Sequence, residues 1–297
     1  MSATTPLSRL GLGVGWRPEI AGLIAALPGL RFCEVVAEAL PLRRGRAVAP
    51  PALHGLRGRG VTVVPHGTRL SLGGAERLDP DRVTGFVAVA NALAAPLVSE
   101  HVAFVRAGGL EAGHLLPVPR TREALAVLTR NVRAVQAELD VPIALEPIAA
   151  LFDWPDNELA EADFLTELLD RTGALLLLDV ANVYANARNR GADPHAELSR
   201  LPLERVAYAH VAGGEADPTG LYHDTHTSAT PEPVLDLVGE LCATGRPPAL
   251  LLERDGHYPP AAVLHSELDA IADAAGLPRI TRVGVTDTTN REPVQRR

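Results

Sequence analysis

Short apolar runs alternate with longer stretches of helical periodicity along most of the chain, and eight such pairs can be counted. The runs that read as strands, each bounded by turn residues, are Arg9–Val14, Phe32–Val36, Val61–Pro65, Leu97–His101, Pro142–Glu146, Ala174–Val180, Arg205–His210 and Pro248–Glu253. Helical spacing follows in Pro18–Leu27, Ala49–Arg59, Asp79–Ala94, Thr121–Leu139, Glu161–Thr172, Asp193–Ser199, Pro231–Ala243 and Pro260–Ala274. Asp79-Pro80, Thr121 and Asp193-Pro194 mark helix starts, since an N-cap oxygen satisfies a free backbone N–H and proline fits the first turn. Runs such as Ala174–Leu178 are apolar throughout, as for parallel strands covered on both faces. Eight uninterrupted strand–helix units predict an α/β fold, a (β/α)8 TIM barrel, with a doubly wound sheet as the alternative.

No shift of composition divides the chain, so residues 1–275 are expected to form one barrel domain. Residues 276–297 are polar and aperiodic and read as a loose C-terminal tail. Pro41–Pro51 reads as a loop after the second strand, and Ala107–Pro119 as a long loop after the fourth, where such loops shape a binding mouth.

Composition narrows the chemistry. The chain has 297 residues, 46% hydrophobic and 22% charged, with a formal net charge of −8. That balance describes a globular protein with a sizeable core and no basic stripe, so no nucleic-acid partner is expected. No apolar run is long enough to span a bilayer, and Met1–Leu10 lacks the features of a signal peptide; no membrane partner and a cytoplasmic location are expected. Cys33 and Cys242 have no CxxC partner, so neither a disulfide framework nor a thiolate zinc site is expected. The chain contains no lysine, which removes a Schiff-base lysine and a Walker A loop together. No G-x-S-x-G elbow is present, and GLGVG at Gly11–Gly15 reads as a strand entering a tight turn.

The candidate chemistry lies at the strand ends. The stretch Tyr208–Ser228 begins as a strand ending in His210, breaks at Gly213-Gly214 and carries Asp224 and His226 two residues apart, on one side of an extended segment. Strand two carries Glu34 and is followed by Glu38. Strand three ends in His66, strand four in Glu100-His101, strand five in Glu146, strand six in Asp179 with Asn182 beyond, and strand eight in Glu253. In a barrel these carboxyl ends share one face. Core packing would place Val, Ile or Leu there, so the repetition points to metal. His66, His101, Glu146, Asn182, His210, Asp224, His226 and Glu253 make eight candidate ligands. One tetrahedral ion takes three or four, so the set predicts two or three ions, with Glu146 and Glu253 able to bridge cations about 3.5–4 Å apart. Nitrogen and oxygen donors without sulfur suit iron, manganese or zinc.

The runs VVPHG (63–67), SEHVAF (99–104), LLPVPRTREAL (115–125), LEP (145–147), TGALLLLDVANVY (172–184), HVAGG (210–214), DTH (224–226) and LLERD (251–255) together resemble the multinuclear non-haem iron-dependent oxidase family. Its best-known relatives are methanobactin-biosynthesis oxidases. The resemblance runs from about Gly13 to Asp255 and implies a barrel holding two or three irons, as Fe(II) and Fe(III), with O2 as co-substrate. The implied substrate is a ribosomally made precursor peptide modified at Cys and presented by a companion leader-binding protein. The family's iron ligands fall on the same eight positions, with Glu146, His210 and Glu253 central to catalysis; Asp179, in the DVANV run, is either a further ligand or an acceptor behind one, and Asp255 reads as orienting a neighbour. Ala181 and Pro147 stand where the family has asparagines, Arg254 where tryptophan is common, and Arg190 where histidine is frequent. These departures bear on the surroundings of the metals and so on substrate and product.

Several residues are expected to serve structure. Glu100 reads as half of an ion pair, Arg17 as half of a surface ion pair, and Glu34 and Glu38 as structural or facing substrate. His54, His114, His195, His223, His257 and His265 read as solvated or capping. A redox-inert zinc or manganese isomerase or hydrolase of the xylose-isomerase-like type is the alternative, using the same rim to polarise a carbonyl or activate water. A non-catalytic metal- or peptide-binding module is a third possibility.

Overall fold

The computed structural model describes Leu7, residues 9–243 and residues 247–282. Eight parallel strands close into a barrel in chain order: β1 (Leu12–Trp16), β2 (Phe32–Val36), β3 (Thr62–Gly67), β4 (Val98–His101), β5 (Ile143–Glu146), β6 (Leu175–Asp179), β7 (Val206–Val211) and β8 (Ala249–Leu252), with β8 pairing back onto β1. The helices between them are α1 (Ala21–Ala26), α2 (Pro51–Gly58), α3 (Pro80–Leu93), α4 (Arg122–Gln136), α5 (Glu161–Thr172), α6 (Val180–Arg190), α7 (Pro194–Arg200), α8 (Glu232–Cys242) and α9 (Ala261–Ala275). The predicted (β/α)8 barrel is therefore the observed architecture.

Strand periodicity divides the core in two. Side chains alternate between the helices outside and the barrel axis inside. The outward set, including Val14, Cys33, Val63, Leu176 and Leu250, packs against helix residues such as Leu128, Leu168 and Leu268. The inward set forms a separate plug of Phe32, Val64, Leu97, Ala144, Leu177, Tyr208 and Leu251, with Leu7 from the segment before β1. Two residues further along the same strands, the next inward positions are Glu34, His66, Ser99, Glu146, Asp179, His210 and Glu253. One step of the period thus separates an apolar floor from a ring of polar side chains, all seven of them buried. Strand β1 instead offers Gly13 and Gly15 in this phase. A Cβ at Gly13 would lie 2.7 Å from the Phe32 ring, and one at Gly15 would meet Arg17 Nη1 at 3.4 Å, so glycine here makes room for larger neighbours.

The helix starts were legible: Asp79, Thr121 and Asp193 accept from the backbone N–H of Asp81, Ala124 and His195. Helix α6 was not. It begins at once after β6, where Asp179 caps it by accepting from the N–H of Ala181 and Asn182, and only then does α7 follow. Its first two turns are buried all round, from Val180 to Ala187 except Tyr184, so no polar face marks a helical period. Both predicted loops hold β-hairpins. Leu42–Arg43 pairs with Arg46–Ala47, and Ala103–Ala107 pairs with Leu110–Pro117 across a turn at Gly108-Gly109, both at positive φ. A third hairpin pairs Gly213–Ala216 with Tyr222–Ser228, so Gly213-Gly214 open a strand where a break was expected. Within the stretch expected to be a tail, Ile280 is buried and its carbonyl accepts from the N–H of Gly29. Residues 283–297 of that stretch lie outside the described residues.

Candidate metal centre

Parallel register brings the polar ring together. His101 lies beside Glu146 on β4 and β5, and Asp179 beside His210 on β6 and β7. Glu146 stands at the centre. Its Oε2 lies 3.4 Å from His66 Nε2 and 3.3 Å from His101 Nε2, while its Oε1 lies 3.2 Å from His210 Nδ1. Glu253 repeats the arrangement, with Oε2 3.0 Å from His210 Nδ1 and 3.4 Å from His226 Nδ1. His226 Nε2 reaches Asp224 Oδ2 at 2.6 Å and Asp179 Oδ2 at 3.7 Å. All eight of these side chains are joined through these contacts, and Glu146 and Glu253 at the centre each face more than one imidazole.

His226 belongs to the Tyr222–Ser228 strand but adopts φ of +54°, a left-handed kink. The kinked side chain stays within hydrogen-bonding distance of Asp224, so the pair expected from two-residue spacing meets by a different backbone route. Asn182, on the first turn of α6, donates from Nδ2 to the carbonyl of Pro147 and leaves Oδ1 without a partner. One turn on, Asn186 holds Ile148 and Ala150, so α6 fixes the loop after β5.

The donor set fits a metal centre. Five sets of three His, Asp or Glu side chains lie close enough to share an ion, among them His66–His101–Glu146, Glu146–Asp179–His210 and Asp179–Asp224–His226. Glu146 Oε2, Asp179 Oδ2, Asn182 Oδ1, Asp224 Oδ1 and His210 Nδ1 are buried with no hydrogen-bond partner. Buried polar atoms are ordinarily satisfied, and a cation among them removes the penalty. The tautomers agree: His101 Nδ1 donates to the carbonyl of Gly67 at 3.1 Å, leaving Nε2 for the centre.

The electrostatics follow the same contacts. Burial disfavours charge on His101, but Glu146 and then Glu100 outweigh it and push its pKa up to about 9. Burial opposes ionisation of Glu146 too, yet His210 and His101 hold it down at about 2. Burial, with Asp224 next in strength, pushes the Asp179 carboxyl up to about 7. His210 and His226 are raised well above the ordinary imidazole value: burial opposes this, and Glu34 leads the carboxylates around His210 and Glu253 those around His226. Glu253 is depressed against its burial, chiefly by His210 and His226. Each imidazole thus favours the ionised form of its carboxylate, the effect a cation at the same place would have.

Above the ring opens a cavity of about 630 Å³, walled by Val36, Val105, Leu115 and Ile148 and reached by Arg69 and His114. His114 is solvated, as expected, and stands on its rim. Arg17 is no surface ion pair: its Nη2 donates to Glu253 Oε1 at 3.1 Å and its Nε to Asp255 Oδ1 at 3.0 Å, with the side chain only 12% exposed. Asp255 also reaches His226 Nδ1 at 3.2 Å. Glu100 forms its expected ion pair with His101, Oε1 lying 3.6 Å from Nδ1, and its oxygens also accept from the N–H of Leu70 and His101. Glu38 likewise accepts from the N–H of Thr68 and Arg69. His223 turns away to Asp217 and His195 pairs with Glu240. Of the departures, Arg190 pairs with Asp153 and Glu161, and Arg254 turns toward Glu267.

The residue that sequence reasoning undervalued is Glu34. It is fully buried, and its Oε2 accepts from Tyr208 and, at 2.9 Å, from His210 Nε2. A signal existed: Glu34 is two residues from Phe32 in a strand buried on both faces, the same phase that carries His66 after Val64.

Comparison with known proteins agrees with the barrel fold. The barrel is similar to D-psicose 3-epimerase from Clostridium cellulolyticum (TM-score 0.53, 15% identity, 89% of this chain and 95% of that one) and to mannonate dehydratase from Streptococcus suis (TM-score 0.56, 14% identity, 96% and 100%). At such identity the likeness is one of fold. A UPF0276 protein of Streptomyces avermitilis is 51% identical over 279 residues, covering 91% of this chain but 56% of that protein, so the chain spans little more than half of that relative. A UPF0276 protein of Bordetella bronchiseptica is 39% identical over 265 residues, covering 88% of this chain and 91% of that one. The family described as RiPP precursor modification enzyme MbnB/TglH/ChrH, where RiPP denotes a ribosomally synthesised and post-translationally modified peptide, matches residues 11–276. With the match covering nearly the whole barrel, the chain belongs to the MbnB/TglH/ChrH family of RiPP precursor modification enzymes.

Proposed function

We propose that the chain is an iron- and O2-dependent oxidase that modifies a residue, in our reading a cysteine, of a ribosomally made precursor peptide. The observation that carries the reading is the set of buried, unpartnered donors around Glu146 and Glu253 in a chain of this family. His66, His101 and Glu146 would hold one ion, and His210, Glu253 and Glu146 a second. Asp224 and His226, with the oxygen of Asn182, offer donors for a third. Asp179 and Asp255 orient these ligands from behind. Bound iron supplies the one-electron chemistry toward O2 that side chains lack.

The chain's own residues do the rest. The apolar wall of Val36, Val105, Leu115 and Ile148 keeps water from one side of the cavity and leaves room for a peptide side chain. Arg17 and Asp255 hold Glu253 and His226 at the mouth. Leu110, on the hairpin after β4, and Leu151 and Phe152, in the loop after β5, are exposed on the same barrel end. They offer apolar contact to the peptide or to a companion protein that presents its leader. Among the described residues no helix is long and apolar enough to cross a membrane, and the reading places the reaction in the cytoplasm, where such peptides are made.

The test is to purify the protein without oxygen, measure its metal content and charge-transfer spectrum, and then add O2 and a Cys-containing precursor. Iron in at least two equivalents and an O2-dependent mass change of the peptide are expected. Stoichiometric zinc without iron, together with O2-independent activity, would favour the redox-inert alternative.

A further inference from the structure

Beneath the proposed metal centre lies a buried hydrogen-bond chain that touches both His66 and His210. His66 Nδ1 lies 2.9 Å from Ser99 Oγ, Ser99 Oγ lies 2.7 Å from the Tyr208 hydroxyl, and Tyr208 donates to Glu34 Oε2, which also accepts from His210 Nε2 at 2.9 Å. The five residues come from β2, β3, β4 and β7, and none is more than 2% exposed. No bulk water reaches them to substitute for a missing partner. Leucine at these inward positions would extend the floor without desolvating hydroxyls and a carboxylate, so the chain is costly unless it serves the layer above.

We propose that Glu34 sets the direction of this chain and thereby leaves His66 and His210 with their unprotonated nitrogens facing the cations; the inference rests on the metal-centre reading above. The argument is a count of hydrogens. A carboxylate has none to give, so both groups at Glu34 Oε2 must donate: the Tyr208 O–H and the His210 Nε2–H. With its hydrogen committed, the Tyr208 oxygen accepts from Ser99. With its own hydrogen committed in turn, Ser99 accepts from His66 Nδ1–H. His66 therefore keeps its lone pair on Nε2, toward Glu146, and His210 keeps its lone pair on Nδ1, toward Glu146 and Glu253. The two histidines belong to different candidate subsites, yet one carboxylate fixes both tautomers. Glu34, Tyr208 and Ser99 are positioning residues in this scheme.

The test uses the full-length protein and zinc, a diamagnetic probe, with Fe(II) loading under anaerobic conditions as a parallel. In the zinc-loaded wild type, imidazole 15N shifts are expected to report ligation through Nε2 of His66 and Nδ1 of His210. Tyr208→Phe keeps the ring packed edge-on against Phe32 but frees the Ser99 hydroxyl to donate to His66. Zinc affinity in this variant is expected to fall by about 10–100-fold with secondary structure and Tm retained. Glu34→Gln and Ser99→Ala combined are expected to cost less than the sum of the two alone, because both cut one chain. Ligation of His210 through Nε2, wild-type affinity in Tyr208→Phe, or strict additivity would overturn the proposal. Loss of a whole zinc equivalent in Glu34→Gln with Tyr208→Phe unaffected would make Glu34 a ligand and also overturn it. A wild type that binds neither zinc nor iron would instead remove the metal-centre reading beneath it. Should Glu34→Gln fail to fold, the Tyr208→Phe affinity and the 15N shifts decide the matter.

Discussion

Arg17 grips the outer oxygen of Glu253, Nη2 to Oε1 at 3.1 Å, and so turns the inner oxygen toward His210 and His226 at 3.0 and 3.4 Å. The same guanidinium holds Asp255, which reaches His226 from the other side. A planar fork can address two carboxylates at once, and a lysine ammonium cannot copy that geometry. Replacing Arg17 by leucine is expected to weaken metal binding by about 10–100-fold, the usual cost of losing a partner behind a ligand. Lysine should restore little of it. Chelator competition on purified variants checks this, and wild-type affinity in both would contradict the clamp.

Glu146 faces His66, His101 and His210 together. Glu146→Gln removes the charge with little change of volume, and His210→Ala removes the nitrogen that faces both central carboxylates. Both variants are expected to lose metal loading while keeping the circular dichroism of the barrel. Full iron content in either would contradict the ligand assignment.

Metal removal should lower stability as well as activity, because ions that bind only the folded state stabilise it by mass action. At about 1,000 times its Kd, one ion contributes about 4 kcal/mol, a Tm shift on the order of 10 °C for a chain of this size. Calorimetry with and without chelator measures it. An unchanged Tm would mean that the folded protein holds no tightly bound ion.

The chain's own thiols should stay inert. Burial, with the charge of Glu34 second, pushes the Cys33 thiol up to about 12, and burial pushes Cys242 up to about 11. The thiolate is the reactive form, so at pH 8 neither should be modified by a thiol reagent until denaturant is added. Reaction of Cys33 in the native protein would show that the barrel wall opens around β2.

The floor of the barrel can be tested apart from the metal. Gly13→Ala would set a methyl 2.7 Å from the Phe32 ring and is expected to cost about 1–3 kcal/mol by overpacking. Gly22→Ala, in α1 with nothing within 4 Å of the added carbon, should be neutral or stabilising by about 0.4–1 kcal/mol. Urea denaturation compares the pair, and equal effects would contradict the packing at Gly13.

Where local chemistry governs, the sequence alone sufficed. Apolar runs bounded by turns located all eight barrel strands to within a few residues, and cap residues such as Asp79 and Thr121 located helix starts, because N-capping is settled within one turn. The eight candidate ligands stand out in the sequence because each follows or ends an apolar run at a strand end or in the segment beyond it. Helix α6 escaped notice because burial on every side erased the contrast that marks a helix. The hairpin strands Ala103–Ala107 and Leu110–Pro117 escaped because the long, glycine-containing connection read as irregular.

Closure of the barrel decided the remainder. Glu34 and His210 are 176 residues apart and Arg17 and Glu253 are 236 apart, and no local pattern registers such pairs. They meet because eight strands curl until β8 pairs with β1, which turns alternate side chains of every strand onto one axis. Sequence named the donors; only a closed sheet could determine which carboxylate faces which imidazole and which nitrogen each imidazole turns inward.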